Sequence, residues 1–201
     1  RDVLGSRGLG DVYKRQVQLS PDTRKGNWDA CSGYHYSDST LMGFSHTHLS
    51  GTGCIDLGDI LFRPSLQTPL AFSHSDEKAS PGYYSVNLRE AGVLAELTTT
   101  PHVGIHRYTY KKGIESTLVV DMDHLLDNEY IYEGWVKQTG ENELTGMRRT
   151  RGWVDNQYVF FVAQFSQPFS SMEQPSERQA VLTFDTTTGK PIVCKVGVSI
   201  V

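Results

Sequence analysis

The residues most able to do site chemistry crowd into positions 33–59 of this 201-residue chain. His35, His46 and His48 stand there beside Tyr34, Tyr36, Asp38, Asp56 and Asp59, with glycines interspersed. Polar groups beside backbone-permissive glycines mark a segment shaped for more than packing. His46 and His48 lie two apart. In an extended segment both side chains leave the same face and could grip one metal ion, as in cupin-type sites. A third ligand would have to come from His35, His74 or an aspartate, and no spacing selects one. Local hydrogen bonding, or contact with a polar ligand, needs fewer partners, so no metal ligand is assigned.

Ser50-Gly51-Thr52-Gly53 has the glycines of a phosphate cradle but no following lysine and no strand-to-helix switch. Its glycines are expected to turn the backbone tightly or bring it close to a ligand. The aspartates at 29, 38, 56 and 59 read first as Asx-turn formers. No nucleophile elbow is present. Trp28, Tyr34 and Tyr36 add aromatic surface to the same region. An aromatic face beside hydrogen-bonding groups is a common way to hold a sugar ring, although Trp28 is read equally well as core.

The elements that must position these groups are strands. From residue 82 onward, short runs rich in Val, Tyr, Thr and Phe alternate polar with apolar residues, and turn signals separate them. Strands are expected at 83–88, 93–100, 104–110, 116–122, 130–138, 149–154, 157–165, 180–185 and 192–201, with a single helical turn at 124–129. That spacing predicts an all-β antiparallel sandwich and excludes a βαβ fold. Hydrophobic residues make up 38% and charged residues 21%, enough for a packed core. The net charge of −4 and the scattered basic residues argue against nucleic acid as a partner. No apolar run reaches membrane-spanning length. Cys31, Cys54 and Cys194 are expected as free thiols, with a Cys31–Cys54 bridge as the alternative in an exported protein.

Residues 6–16 match, residue for residue, the translation of a common transposon-based sequencing adapter. Residues 1–16 are therefore read as an assembly scar and 17–201 as the protein proper. Without the scar the chain has 15 basic and 21 acidic residues, a net −6 that suits a secreted, periplasmic or cell-surface protein. The apolar strand at the end of the chain reads as cut, so truncation is expected at both ends.

Several strings together resemble one family. Trp28-Asp29-Ala30-Cys31-Ser32-Gly33-Tyr34-His35-Tyr36 is followed by Gly43-Phe44-Ser45-His46-Thr47-His48-Leu49-Ser50-Gly51-Thr52-Gly53-Cys54 and Asp56-Leu57-Gly58-Asp59. Gly104-Ile105-His106-Arg107-Tyr108 and Arg151-Gly152-Trp153 continue the likeness. The strings resemble the N-terminal domain of glycoside hydrolase family 92, bacterial calcium-dependent exo-α-mannosidases, across essentially all of 17–201. The resemblance implies a galactose-mutarotase-like β-supersandwich that precedes a catalytic (α/α)6 barrel absent from this chain. It also implies an inverting hydrolase of terminal α-mannosides in mannose-containing glycans, with calcium held mainly by the barrel. The catalytic acid and base would lie on the barrel as well, so no catalytic residue is assigned here and the chain alone is expected to be inactive. What carries over is one wall of the substrate pocket: Trp28 as its aromatic face, with Tyr34, His46 and His48 as polar contacts or supports. Two rival readings are a stand-alone carbohydrate-binding sandwich and a cupin-like metal enzyme built on His46 and His48.

Overall fold

The computed structural model describes residues 16–23, 28–49, 55–127 and 129–201. The expected scar, apart from residue 16, and the Ser50–Gly53 string with Cys54 lie outside the described residues. The strands are β1 Ser20–Asp22, β2 Thr40–Leu41, β3 Gly43–Ser45, β4 Leu61–Arg63, β5 Leu70–Ala71, β6 Glu77–Ser80, β7 Tyr83–Leu88 and β8 Val93–Thr99. They continue as β9 Val103–Tyr110, β10 Ser116–Asp121, β11 Tyr130–Gly140, β12 Glu143–Arg151, β13 Gln157–Phe165, β14 Ser171–Ser176, β15 Gln179–Phe184 and β16 Ile192–Ile200. Helical structure among the described residues is confined to two 3-10 turns, Trp28–Ala30 and His74–Asp76.

Two antiparallel sheets form the sandwich, in the orders β1-β3-β4-β10-β15-β14 and β11-β12-β13-β16-β9-β8-β7-β6. A β2-β5 pair stands apart from them. The period-two pattern drives the packing. In β13, Gln157, Val159, Phe161, Ala163 and Phe165 point inward while Phe160, Val162 and Gln164 face out. One continuous core joins the sheets. Phe44 of β3 approaches Tyr108 of β9 at 6.5 Å between ring centroids, and Phe165 of β13 approaches Phe184 of β15 at 5.3 Å.

The expected strands from 83 onward form, and four features differ. Short strands β1 to β6 build the region before residue 82, where polar side chains hide any alternation. β12 begins at Glu143 rather than 149, because its inward positions include Gly146 and Arg148, which do not read as apolar. Residues 124–127 form no helical turn, and β14, not expected at all, is a largely exposed edge strand.

Candidate functional site

Trp28 opens the 3-10 turn Trp28–Ala30 and leaves 68% of its surface exposed. Its carbonyl accepts the Cys31 thiol at 2.6 Å. Cys31 and Cys194 are free thiols, the second fully buried. The chain then passes through Gly33, whose φ of +82° is left-handed. A Cβ there would fall 2.2 Å from Asp22 Oδ1 and 3.2 Å from His48 Nε2, so only glycine lets this loop lie on the charged pair beneath it.

That pair is buried. His48 Nδ1 donates to the Gln18 carbonyl at 2.6 Å, and Nε2 donates to Asp22 Oδ1 at 2.7 Å. Asp22 Oδ2 takes a further hydrogen bond from His124 Nε2 at 2.8 Å, 102 residues along the chain. Burial alone would raise the Asp22 pKa, but the His48 charge and the two imidazole hydrogen bonds hold it well below the usual carboxylate range. Burial likewise opposes charging His48, and Asp22 overcomes it, raising the imidazole pKa. The result is an imidazolium–carboxylate pair.

His46 points elsewhere. Its Nδ1 donates to the Ile60 carbonyl at 2.6 Å, so its Nε2 is an acceptor. That nitrogen lies 3.0 Å from His106 Nε2, which must carry the shared hydrogen. His106 Nδ1 in turn accepts the Tyr108 hydroxyl at 2.8 Å. Gly104 makes this close approach possible, since a Cβ there would fall 2.8 Å from the His46 ring. Burial pulls the His46 pKa down to about 4 and that of His106 well below its ordinary value, so both rings are neutral. His46 and His48 therefore diverge: each ring nitrogen is engaged inside the protein, and the pair does not converge on one point.

A second buried charge pair lies next to the first. Arg148 is fully buried on β12. Its Nε donates to Asp59 Oδ1 at 2.7 Å and its Nη1 to the carbonyls of Met122 and His124. Asp59 Oδ2 accepts the Thr47 hydroxyl at 2.6 Å. Arg148 Nη2 lies 3.9 Å from Glu129 Oε2, and Glu129 Oε1 accepts the Leu57 amide. Asp56 accepts the amides of Leu57 and Trp153; burial raises its pKa against those bonds. This network clamps a strained segment, since Leu57 and Ile60 both hold left-handed φ, 73° and 61°. Such conformations cost about 1–3 kcal/mol each and persist where surrounding structure over-determines them.

Tyr34, the remaining sequence candidate, is half-buried and donates its hydroxyl to Glu77 at 3.2 Å. Burial first, then Glu77, pushes its pKa up to about 12, which keeps it a neutral donor. Sequence reasoning assigned no role to Asp22, His106, His124, Glu129 or Arg148. A signal existed for two of them: Arg148 and His106 occupy inward positions of alternating strands, where a polar side chain demands a partner.

Calcium requires about six to eight oxygen ligands. Among the described residues no group of three or more His, Cys, Asp or Glu is placed to hold a metal ion. The carboxylates of Asp22, Asp56 and Asp59 are taken by histidine, backbone N–H and Arg148. These described carboxylates do not fit a calcium site. Nor is any helix of the described residues long and apolar enough to cross a membrane.

Among known proteins, the glycosyl hydrolase family 92 N-terminal domain matches residues 16–199. The fold is similar to a family GH92 α-mannosidase from Bacteroides thetaiotaomicron, with 32% identity and a TM-score of 0.82 over 92% of this chain and 30% of that one. A family GH92 inverting mannosidase from Bacteroides thetaiotaomicron, 22% identical, shares the fold with a TM-score of 0.74 over 92% of this chain and 27% of its own. An uncharacterized secreted glycosidase of Arthroderma benhamiae is 27% identical over 117 residues, 48% of this chain and 15% of its own length. The chain thus spans less than a third of the length of each relative.

Proposed function

The chain belongs to glycosyl hydrolase family 92 as its N-terminal domain, and from this we propose that it forms one wall of the substrate pocket of a secreted, inverting exo-α-mannosidase. The observation that carries the proposal is the exposure of Trp28 on a loop seated directly over the buried Asp22–His48–His124 cluster. A charge network without solvent access cannot run hydrolysis, but it fixes the loop that presents the indole. The exposed ring supplies an apolar face for the C–H side of a pyranose. Tyr34 contributes a neutral hydroxyl. His48 supports the loop through Asp22, and His46 braces the core through His106.

Inversion needs a general acid at the leaving oxygen and a general base on a water at the opposite face, with carboxyls about 6.5–9.5 Å apart. Both groups are assigned to the C-terminal (α/α)6 domain of the parent enzyme, along with calcium. The glycan and that domain are the partners of this chain.

The test compares the isolated chain with the full-length enzyme on an aryl α-mannoside and a mannobiose. The isolated chain is expected to give no turnover; measurable hydrolysis by it would remove the division of labour. In the full-length enzyme Trp28→Ala is expected to raise KM roughly three- to tenfold, the worth of one aromatic contact. An unchanged KM would remove Trp28 from the pocket wall.

A further inference from the structure

A cavity of about 460 Å³ opens between the edge strands of the two sheets, lined by Pro21 of β1, Tyr34 and Tyr36, His74, Glu77 of β6 and Tyr84 of β7. Its size falls within the roughly 300–1,000 Å³ of small-ligand sites. At its base the Glu77 side chain is only 9% exposed. Glu77 Oε1 accepts the Tyr84 hydroxyl at 2.5 Å, and Oε2 accepts His74 Nδ1 at 2.5 Å and the Tyr34 hydroxyl at 3.2 Å. A carboxylate buried this far and given three donors is a built feature of the fold.

The arrangement sets the polarity offered to a ligand. Tyr34 and Tyr84 spend their O–H groups on Glu77, so each phenol oxygen has only acceptor lone pairs left. Glu77 keeps acceptor capacity beyond its three partners. Burial and Glu77 raise the pKa of both phenols, which holds this pattern fixed. The lining therefore favours a ligand rich in O–H donors, and the Glu77 charge disfavours an anion.

Above the carboxylate, Tyr36 stacks on His74 with centroids 4.2 Å apart and planes 15° from parallel. Tyr36 is 70% exposed, so its outer face is open. One flat ring backed by a second is a platform, not a cage of converging rings, and it suits the C–H face of a pyranose better than a compact cation.

We propose that this cavity is a carbohydrate subsite, in which a neutral pyranose stacks on Tyr36 and gives its hydroxyl hydrogens to Tyr34, Tyr84 and Glu77. The family-based reading of the parent enzyme supplies only the sugar's identity, a mannose unit of the glycan. The stacking and the hydrogen-bond polarity stand without it.

The chain is titrated with methyl α-mannoside, α-linked mannobiose and mannotriose, methyl α-glucoside and tetramethylammonium chloride, followed by backbone amide NMR shifts. Mannosides are expected to shift amides around Tyr34, Tyr36, Glu77 and Tyr84. Tyr36→Ala is expected to weaken binding about three- to tenfold, and Tyr36→Trp to restore it. The Tyr36 side chain is largely solvent-exposed, so its removal leaves the core intact, and an unchanged amide spectrum elsewhere verifies that. Ala79→Tyr, which fills the cavity from exposed edge strand β6, provides an independent block. Binding of glucoside in preference to mannoside would keep the subsite and overturn the mannosidase reading. No sugar binding at tens of millimolar, binding indifferent to both variants, or preferential capture of tetramethylammonium would overturn the subsite.

Discussion

Arg148 and Asp59, 89 residues apart in sequence, meet as a fully buried ion pair with Nε 2.7 Å from Oδ1. The guanidinium also ties down two carbonyls from the loop after β10, so one side chain joins β12, that loop and the strained segment before β4. Truncating one member of a buried pair leaves the other charge without compensation. Arg148→Ala is expected to destabilise the chain by about 3–5 kcal/mol. At about 2–4 °C of melting temperature per kcal/mol for this size, thermal denaturation by circular dichroism reads the effect. Arg148→Lys is expected to recover little, because an ammonium cannot serve Asp59 and two carbonyls in one plane. Full recovery by lysine would show that charge alone matters.

Stability should fall on both sides of neutrality, for opposite reasons. His46 and His106 are buried neutral with folded pKa values below the unfolded value of about 6.5. Below that pH the unfolded chain takes up protons that the folded chain refuses, so stability is lost as pH falls from about 6.5 towards 4. His46 alone accounts for about 3 kcal/mol of that loss. His48 has a raised folded pKa, so its contribution is complete below about pH 6.5 and is lost as pH rises through the folded value. Asp22, with its depressed pKa, contributes above about pH 3.9 and loses that only at stronger acidity. Urea titrations from pH 4 to pH 9 follow the histidine terms, and only an extension below pH 4 reaches the Asp22 term. His48→Gln should flatten the alkaline limb and leave the acid limb in place.

Two glycines with left-handed φ should behave differently on substitution. Gly82→Ala meets open space, so only the backbone strain of about 1–2 kcal/mol is expected. Gly33→Ala adds a collision with the Asp22 carboxylate and must displace either the loop or the Asp22–His48 pair. It should cost clearly more than Gly82→Ala in the same denaturation assay. Equal costs would mean that the Trp28 loop is not seated as described.

The two described thiols should separate by labelling. Cys194 sits in the core with a thiol pKa raised well above its ordinary value by burial, so little thiolate is present. Alkylation of the native chain, read by peptide mass spectrometry, should modify the half-buried Cys31 and spare Cys194 until denaturant is added.

Trp28→Ala should change stability by no more than about 0.5 kcal/mol, since most of the indole already lies in solvent. A large loss would return Trp28 to the core, the alternative that the sequence left open.

Much of the fold was legible because alternation is a local property. Tyr83–Leu88 and Gln157–Phe165 announce themselves through residues two apart, whatever else the chain does. The strands before residue 82 were not legible, since two- or three-residue elements carry no period. β12 was read late because Arg148 stands where an apolar residue would have marked the strand. At the candidate site, the polar density of residues 33–59 was plain, yet His46, Thr47, His48, Asp56 and Asp59 serve the interior.

By itself the sequence determined the strand-rich class, the absence of a sustained helical period and, through strings such as Gly43 to Leu49, the family. Tertiary structure decided which polar residues face solvent and which support. His48 meets Asp22 across 26 residues, His46 meets His106 across 60, and His124 meets Asp22 across 102. Glu77 gathers Tyr34 from 43 residues away. Local spacing fixes the direction of a side chain relative to its neighbours in the chain. Whether that direction ends in water, a carboxylate or another imidazole depends on which strands the sheet order brings alongside, and that order emerges only when the two sheets close on their core.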